Sequence, residues 1–258
     1  FEDLADGRRV FYSGTGCGNV VCIDARTGQP LWRFQMSHGG VNSGVILHDD
    51  VVVAIHGKEN LDATEIGRMV AIKKPTELPG PGEPALVLGK EDEKWRNNEL
   101  EAFTSTPVYR ENRIYSTIKT GVLLCLNAAT GDIIWRVKLA PDQVHASPLW
   151  ADGKLYVPMF DGKCFVVKDK GDSGEILDEV QLDGACFASP SASHGRLFVQ
   201  SKKRLYCFGS KTPAPDFSAT TVAQAKGTGD PVALQVVPAE FAVKLGSSQK
   251  LKVFSLDK

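Results

Sequence analysis

Apolar and polar residues alternate along most of the chain in short runs: RRVFY at 8–12, VVVAI at 51–55, RIYST at 113–117, KLYVP at 154–158 and RLFVQ at 196–200. Period-two alternation over runs this short marks β-strands. Each run follows a turn pair, Asp6-Gly7, Asp49-Asp50, Glu111-Asn112, Asp152-Gly153 or His194-Gly195. Gly, Asn and Asp tolerate the positive φ of a two-residue hairpin, so each pair predicts a tight connection from a preceding strand. A second turn follows each run, at Cys17-Gly18, Ile66-Gly67, Thr120-Gly121, Asp161-Gly162 and Lys202-Lys203, and leads into NVVCID, RMVAIK, VLLCLN, KCFVVK and RLYCFG. Upstream of the first hairpins, Thr106-Pro107, Ser147-Pro148 and Ser189-Pro190 open one more short strand, with Ser43-Gly44 in the equivalent place and Phe1-Glu2 where the first unit starts. Proline is tolerated at a strand's first residue, where its missing N–H does no harm.

The units are copies. Cys22 to Trp32, CIDARTGQPLW, recurs as Cys125 to Trp135, CLNAATGDIIW, with Asp24 matching Asn127, Thr27-Gly28 matching Thr130-Gly131 and Trp32 matching Trp135. Four strands, A to D, repeated at a period of roughly 41 residues are the signature of propeller blades. The fold class predicted is an all-β propeller of four-stranded antiparallel blades, about five of them. Thr-Gly makes the turn from C to D, and the Trp is expected to fold over that turn and clamp its blade to the next. Blade four carries KDKGDSGEILDEV in place of the motif, blade two a long insertion, and blade five stops after strand C at Gly209.

Two stretches of blade two depart from the repeat. Lys74 to Lys94 is rich in Pro, Gly and charge and is expected to be a long surface loop carrying a short extra strand at Leu86-Val87-Leu88. Gly57 to Ile66 enlarges the turn from B to C. Propeller blades are expected over residues 1–209 and a polar linker over 210–230. Alternation returns at 231–258, with Leu234, Val236, Phe241, Val243, Leu245, Leu251, Val253 and Phe254 as core candidates of a partial β-sandwich. A complete sandwich of the immunoglobulin class needs about 100 residues, so this piece is read as its opening strands.

A 258-residue chain with 42% hydrophobic and 24% charged residues has enough apolar side chains for a sizeable core. Its net charge of −1 gives no electrostatic reason to expect nucleic acid or an anionic membrane as partner. No apolar run is long enough to span a bilayer, and the first residues lack the character of a signal peptide. Any export signal is expected upstream of Phe1.

Candidate chemistry is sparse. Cys22, Cys125 and Cys207 share one strand-C position, held by Ala71 and Val166 in the other blades. They and Cys164 are expected to be small buried hydrophobes, because equivalent points in different blades lie too far apart for a disulfide. Cys17 and Cys186 remain as reactive-thiol candidates, and no CxxC spacing suggests zinc. His48 and His194 fall in or beside hairpin turns and are expected to be solvated. His38 and His145 fall in connections from D to A, on the face that also carries the B-to-C turns. There His38, Glu101, Phe103, His145 and Phe187 are the candidates for binding a partner. No GxSxG, HExxH or phosphate-cradling glycine loop occurs.

SPLWADGKLYVPMFDGK together with CLNAATGDIIW resembles the pyrroloquinoline-quinone-like propeller repeat. That family includes quinoprotein alcohol and glucose dehydrogenases and a non-catalytic periplasmic lipoprotein scaffold of outer-membrane barrel assembly, the type most similar here. The resemblance covers about Phe1 to Gly209 and implies rings of seven or eight blades, hence further blades upstream of the five in this chain. A quinoprotein dehydrogenase would require an adjacent-cysteine disulfide over the quinone, calcium ligands and a catalytic Asp. This sequence has no Cys-Cys pair, and Asp24 and Asn127 belong to turns of separate blades. The resemblance therefore implies a non-enzymatic scaffold of an exported protein, periplasmic or at the cell surface. Such a scaffold binds a protein or extended ligand on its loop-rich face and carries no cofactor, neither pyrroloquinoline quinone nor calcium. The alternative is a fragment of a quinone-dependent oxidoreductase, or of another propeller enzyme such as a hydrolase, whose active residues lie in missing blades. The C-terminal piece resembles a bacterial immunoglobulin-like domain.

Overall fold

The turn pairs act as the alternation predicts. In the computed structural model, which describes residues 1–142, 145–209, 231–237, 248 and 250–257, Asp49, Glu111, Asn112, Asp152, Gly153, His194 and Gly195 all have positive φ. They join strands whose facing residues are His48 and Val51, Arg110 and Arg113, Ala151 and Lys154, and Ser193 and Arg196.

Chain contacts define two units, Phe1–Pro213 and Ala214–Lys258. The first is a β-propeller built of successive antiparallel sheets. Blade one orders β1 (Glu2–Asp3), β2 (Arg9–Gly14), β3 (Asn19–Asp24) and β4 (Pro30–Gln35). Blade two follows with β5 (Ile46–His48), β6 (Val51–Glu59) and β7 (Ile66–Lys73); β8 (Leu86–Leu88) then crosses to blade one, and β9 (Glu93–Asn97) returns as strand D. Blade three holds β10 (Val108–Arg110), β11 (Arg113–Ile118), β12 (Val122–Asn127) and β13 (Ile133–Lys138). Blade four holds β14 (Leu149–Ala151), β15 (Lys154–Pro158), β16 (Lys163–Asp169) and β17 (Gly174–Gln181). Blade five has three strands among the described residues, β18 (Ser191–Ser193), β19 (Arg196–Gln200) and β20 (Leu205–Gly209).

The core lies between blades. Val51, Val53 and Ile55 of β6 pack with Ile114, Leu124 and Leu126 of blade three, whereas Val52 and Ala54 pack with Val10, Val20 and Trp32 of blade one. A strand covered on both faces must be apolar throughout, which is why VVVAI, contrary to the alternation expected of all five runs, is apolar at every position.

The clamp works differently from the sequence expectation in two ways. Blade two keeps its Trp. Trp95 faces Ala71 as Trp32 faces Cys22 and Trp135 faces Cys125, and each ladder shifts register at the next residue of strand C. The insertion merely delays the motif. Moreover, Trp95 and Trp135 each cover the next blade's C-to-D turn, and the turn of blade one beside Trp32 stays uncovered. Trp95 lies where a Cβ on Gly131 would be, Trp135 stands 2.8 Å from a Cβ built on Gly174, and nothing lies within 4 Å of one built on Gly28. The indole N–H groups reach the same way: Trp95 donates to the Ala128 carbonyl at 2.9 Å and Trp135 to Asp169 at 3.1 Å. Asp24 and Asn127 accept backbone N–H groups of their own turns, from Arg26 and Thr27 and from Ala129 respectively, and the hydroxyls of Thr27 and Thr130 accept from Gln29 and Asp132.

Lys74 to Lys94 is likewise not a free loop but a strap tied to blade one. Arg8 donates to the Pro79 carbonyl, Gln29 to that of Gly80, and Lys74 pairs with Glu2. The extra strand forms where expected, as β8, and adds in parallel to β4 with Trp32 facing Leu86 and Phe34 facing Leu88.

In the second unit β21 (Pro231–Val237) pairs antiparallel with β22 (Lys252–Asp257). Leu251 and Val253, read as core, are 47% and 60% exposed. Phe241, Val243, Leu245 and the linker at 210–230 lie outside the described residues.

Candidate functional site

The B-to-C turns and the D-to-A connections meet at one end of the blades. Met36, Leu139 and Leu182 donate their backbone N–H to Gly18, Gly121 and Gly162. These turn glycines have positive φ, and a side chain on any of them would run into the backbone of the adjoining connection. The repeated glycine therefore brings the two kinds of loop together on this face.

At the inner edge of that face the blades are stitched by hydroxyls. The N–H of Gly44 donates to Thr106 Oγ1 at 2.8 Å, that of Thr106 to Ser147 Oγ at 2.8 Å, and that of Ser147 to Ser189 Oγ at 3.1 Å. Gly44, rather than Ser43, thus stands in the place of Thr106, and Ser43 instead donates to the Ile55 carbonyl.

Next to this relay stand the rings. His145 lies 5.3 Å from Phe187, 6.1 Å from Phe103 and 6.4 Å from Phe160, and Phe160 meets Phe187 edge-on at 5.3 Å. His145 Nδ1 is 3.1 Å from the Thr104 hydroxyl, and the Lys58 ammonium stands 5.5 Å from the centre of the Phe103 ring, within cation–π range. Phe103 and Phe187 remain 39% and 45% exposed. Three of the five candidates, Phe103, His145 and Phe187, are therefore together. Glu101 is engaged instead by Lys119 at 2.8 Å, and His38 is exposed, its backbone N–H bonded to Glu59.

Sequence reasoning missed Phe160 and Lys58. Phe160 lies two residues before its turn glycine, where the other blades have Gly16, Glu65 and Lys119, so an aromatic out of pattern was the available signal. Lys58 reaches the rim because β6 extends through Glu59, carried by the insertion after it.

Three readings of single residues change and a fourth stands. Cys207 is exposed, because β20 has no further strand beside it among the described residues. Cys186 is buried and burial pushes its thiol pKa up, so it is not a reactive group. His48 is buried and stacks on Tyr109 at 4.5 Å, not solvated as its turn suggested. Cys17 alone of the two thiol candidates is exposed, and hydrogen bonds from Thr15 and Asn19 lower its pKa. Among the described residues no three of His, Cys, Asp and Glu gather as metal ligands. The rim offers aromatic surface, a cation and a histidine, a set suited to holding a ligand.

The family model described as outer membrane protein assembly factor BamB matches residues 4–72 and 88–169. The chain belongs to this family. The unmatched stretch between the two segments falls in the strap, so the BamB-type repeat runs on either side of it. A curated BamB, from Shewanella oneidensis, is 25% identical over 185 residues, 61% of this chain and 47% of that protein. The match thus spans about half the length of that relative. The crystal structure of BamB from Moraxella catarrhalis superposes with a TM-score of 0.59 at 16% identity, over 79% of this chain and 55% of that one. The computationally designed Ika8 protein gives 0.57 at 13% identity, over 81% and 57%, and a chain of the mitotic checkpoint complex gives 0.58 at 13%, over 80% and 62%. These structures share the fold with the BamB-type blades described above.

Proposed function

We propose that this chain is a non-catalytic propeller module of an exported bacterial protein that engages a protein partner in outer-membrane protein assembly. The face used is the rim of Phe103, His145, Phe160 and Phe187. Membership of the BamB family supports the assembly role, and the observation that carries the site is the pair of half-exposed phenylalanines held around His145. Half-buried aromatics give large contact area at low entropy cost, as interface anchors do. Neither a quinone nor calcium is part of this reading. No helix among the described residues is long and apolar enough to cross a membrane.

A photo-crosslinking amino acid placed at Phe187 in bacterial cells should yield an adduct containing a component of the outer-membrane assembly machinery. The same probe at Leu177, exposed on the outer strand of blade four, should not. Adducts equal at both positions, or at neither, would overturn the assignment of the rim.

A further inference from the structure

Both insertions of blade two end in one place. Asp62, from the enlarged B-to-C turn, bonds Arg68 at 2.7 Å and Arg96 at 2.6 Å and lies 3.6 Å from Lys90 at the end of the strap. The two arginine hydrogen bonds hold its carboxyl far below the usual carboxylate range, so it stays charged. These residues and the upper part of β4 surround a pocket of about 390 Å³ that is separate from the rim. Phe34, Met36, Leu61, Val87 and Leu88 give it apolar walls. Leu61 and Val87 are 40% and 67% exposed, a cost that an apolar occupant would offset.

The polar lining is cationic. Arg33, Arg68, Lys90 and Arg96 face Asp62 and Glu93, a surplus of two positive charges. All three guanidinium nitrogens of Arg96 are engaged by Glu93 and Asp62. Arg68 is almost fully buried and donates Nε to Asn98 and Nη2 to Asp62, neither bond using Nη1. Arg33, on the exposed side of β4, has no ion pair or side-chain hydrogen bond to another described residue. Two guanidinium groups with donors to spare, beside an apolar floor, match a planar monoanion. A dianion such as phosphate would meet the carboxylates of Asp62 and Glu93 as well, which disfavours it.

We propose that this pocket binds a small carboxylate carrying one branched or aromatic apolar group, with Arg33 and Arg68 receiving the carboxylate and Phe34, Met36, Leu61 and Leu88 the apolar group. The volume lies in the range of small-ligand sites, about 300–1,000 Å³. Val87 of its wall lies in the strap stretch that the family model leaves unmatched, and the other lining residues lie within the matched segments.

The probe is N-acetyl-phenylalanine, titrated into the whole chain by calorimetry, with its amide and inorganic phosphate as comparisons. The acid should bind saturably, and the amide at least about tenfold more weakly, the equivalent of about 1.4 kcal/mol. Arg33→Gln, on an exposed side chain, should weaken the acid by about tenfold with an unchanged melting temperature, and Leu61→Asp should abolish binding. The proposal fails if the acid does not saturate, if amide and acid bind equally, if phosphate binds more tightly than the acid, or if a folded Arg33→Gln binds as the parent does. None of these outcomes bears on crosslinks at Phe187, so the two sites are tested apart.

Discussion

His56 shows how much a single side chain takes from its neighbours. It is wholly buried on β6 opposite Arg68, accepts the Lys58 N–H at Nδ1, and has no partner for Nε2 among the described residues. Burial, reinforced by the Arg68 charge, pushes its pKa down to about 4. Between that value and the ordinary 6.5 the unfolded chain binds a proton that the folded chain does not, so stability falls as pH falls through this window and is fully present above it. Lowering the pH from 7 to 5 should therefore remove on the order of 2 kcal/mol through this group. Denaturant melts of the parent should show that loss, and His56→Leu should flatten it; a parallel slope in both proteins would assign the pH dependence elsewhere. Nothing in the run VVVAIH announces this, because the arginine lies across the ladder on β7 and the burial comes from tertiary packing. Phe187 is the contrary case: its place beside Ser189-Pro190 put it on the rim from sequence alone.

Strands and turns come as matched pairs across blades. Trp135 is 5% exposed and fills the space above Gly174 while its N–H reaches Asp169, which Tyr115 and Arg113 also contact. Trp135→Ala should cost about 3–5 kcal/mol, the range for a buried aromatic, and a melt within 1 °C of the parent would exclude the clamp. The turn glycines separate the local from the tertiary contribution. Gly28 and Gly131 share φ of 75°, but only Gly131 lies under a Trp. Gly28→Ala should cost about 1–2 kcal/mol for the left-handed backbone alone. Gly131→Ala should cost clearly more, and equal losses would show that Trp95 yields without strain. The Thr-Gly turns were legible because φ is a local demand. The clamp at Trp95 was not, because the long strap separates it from the strand it faces.

At the scale of the molecule, blades two to four pack against a neighbour on both sides, whereas β20 shows Leu205 at 69% and Phe208 at 36% exposure. Opening free energy should follow that difference. Hydrogen exchange should find the amides of Leu205–Gly209 protected far less than those of Val122–Asn127, and equal protection would mean that another segment covers β20. What the sequence by itself determined was the repeat: four strands per blade, hairpins at Asp, Asn and Gly, the glycine that joins two loops, and the absence of electrostatic cause for a nucleic-acid partner. Those features follow from backbone φ, side-chain alternation and charge, which each short stretch carries on its own. Only the tertiary structure decided that Trp95 and Trp135 serve the next blade, that Phe160 completes the rim around His145, and that two separate insertions close on one cationic pocket. Each of these depends on which distant residues the register between blades brings within a few ångströms, and no local pattern encodes that register.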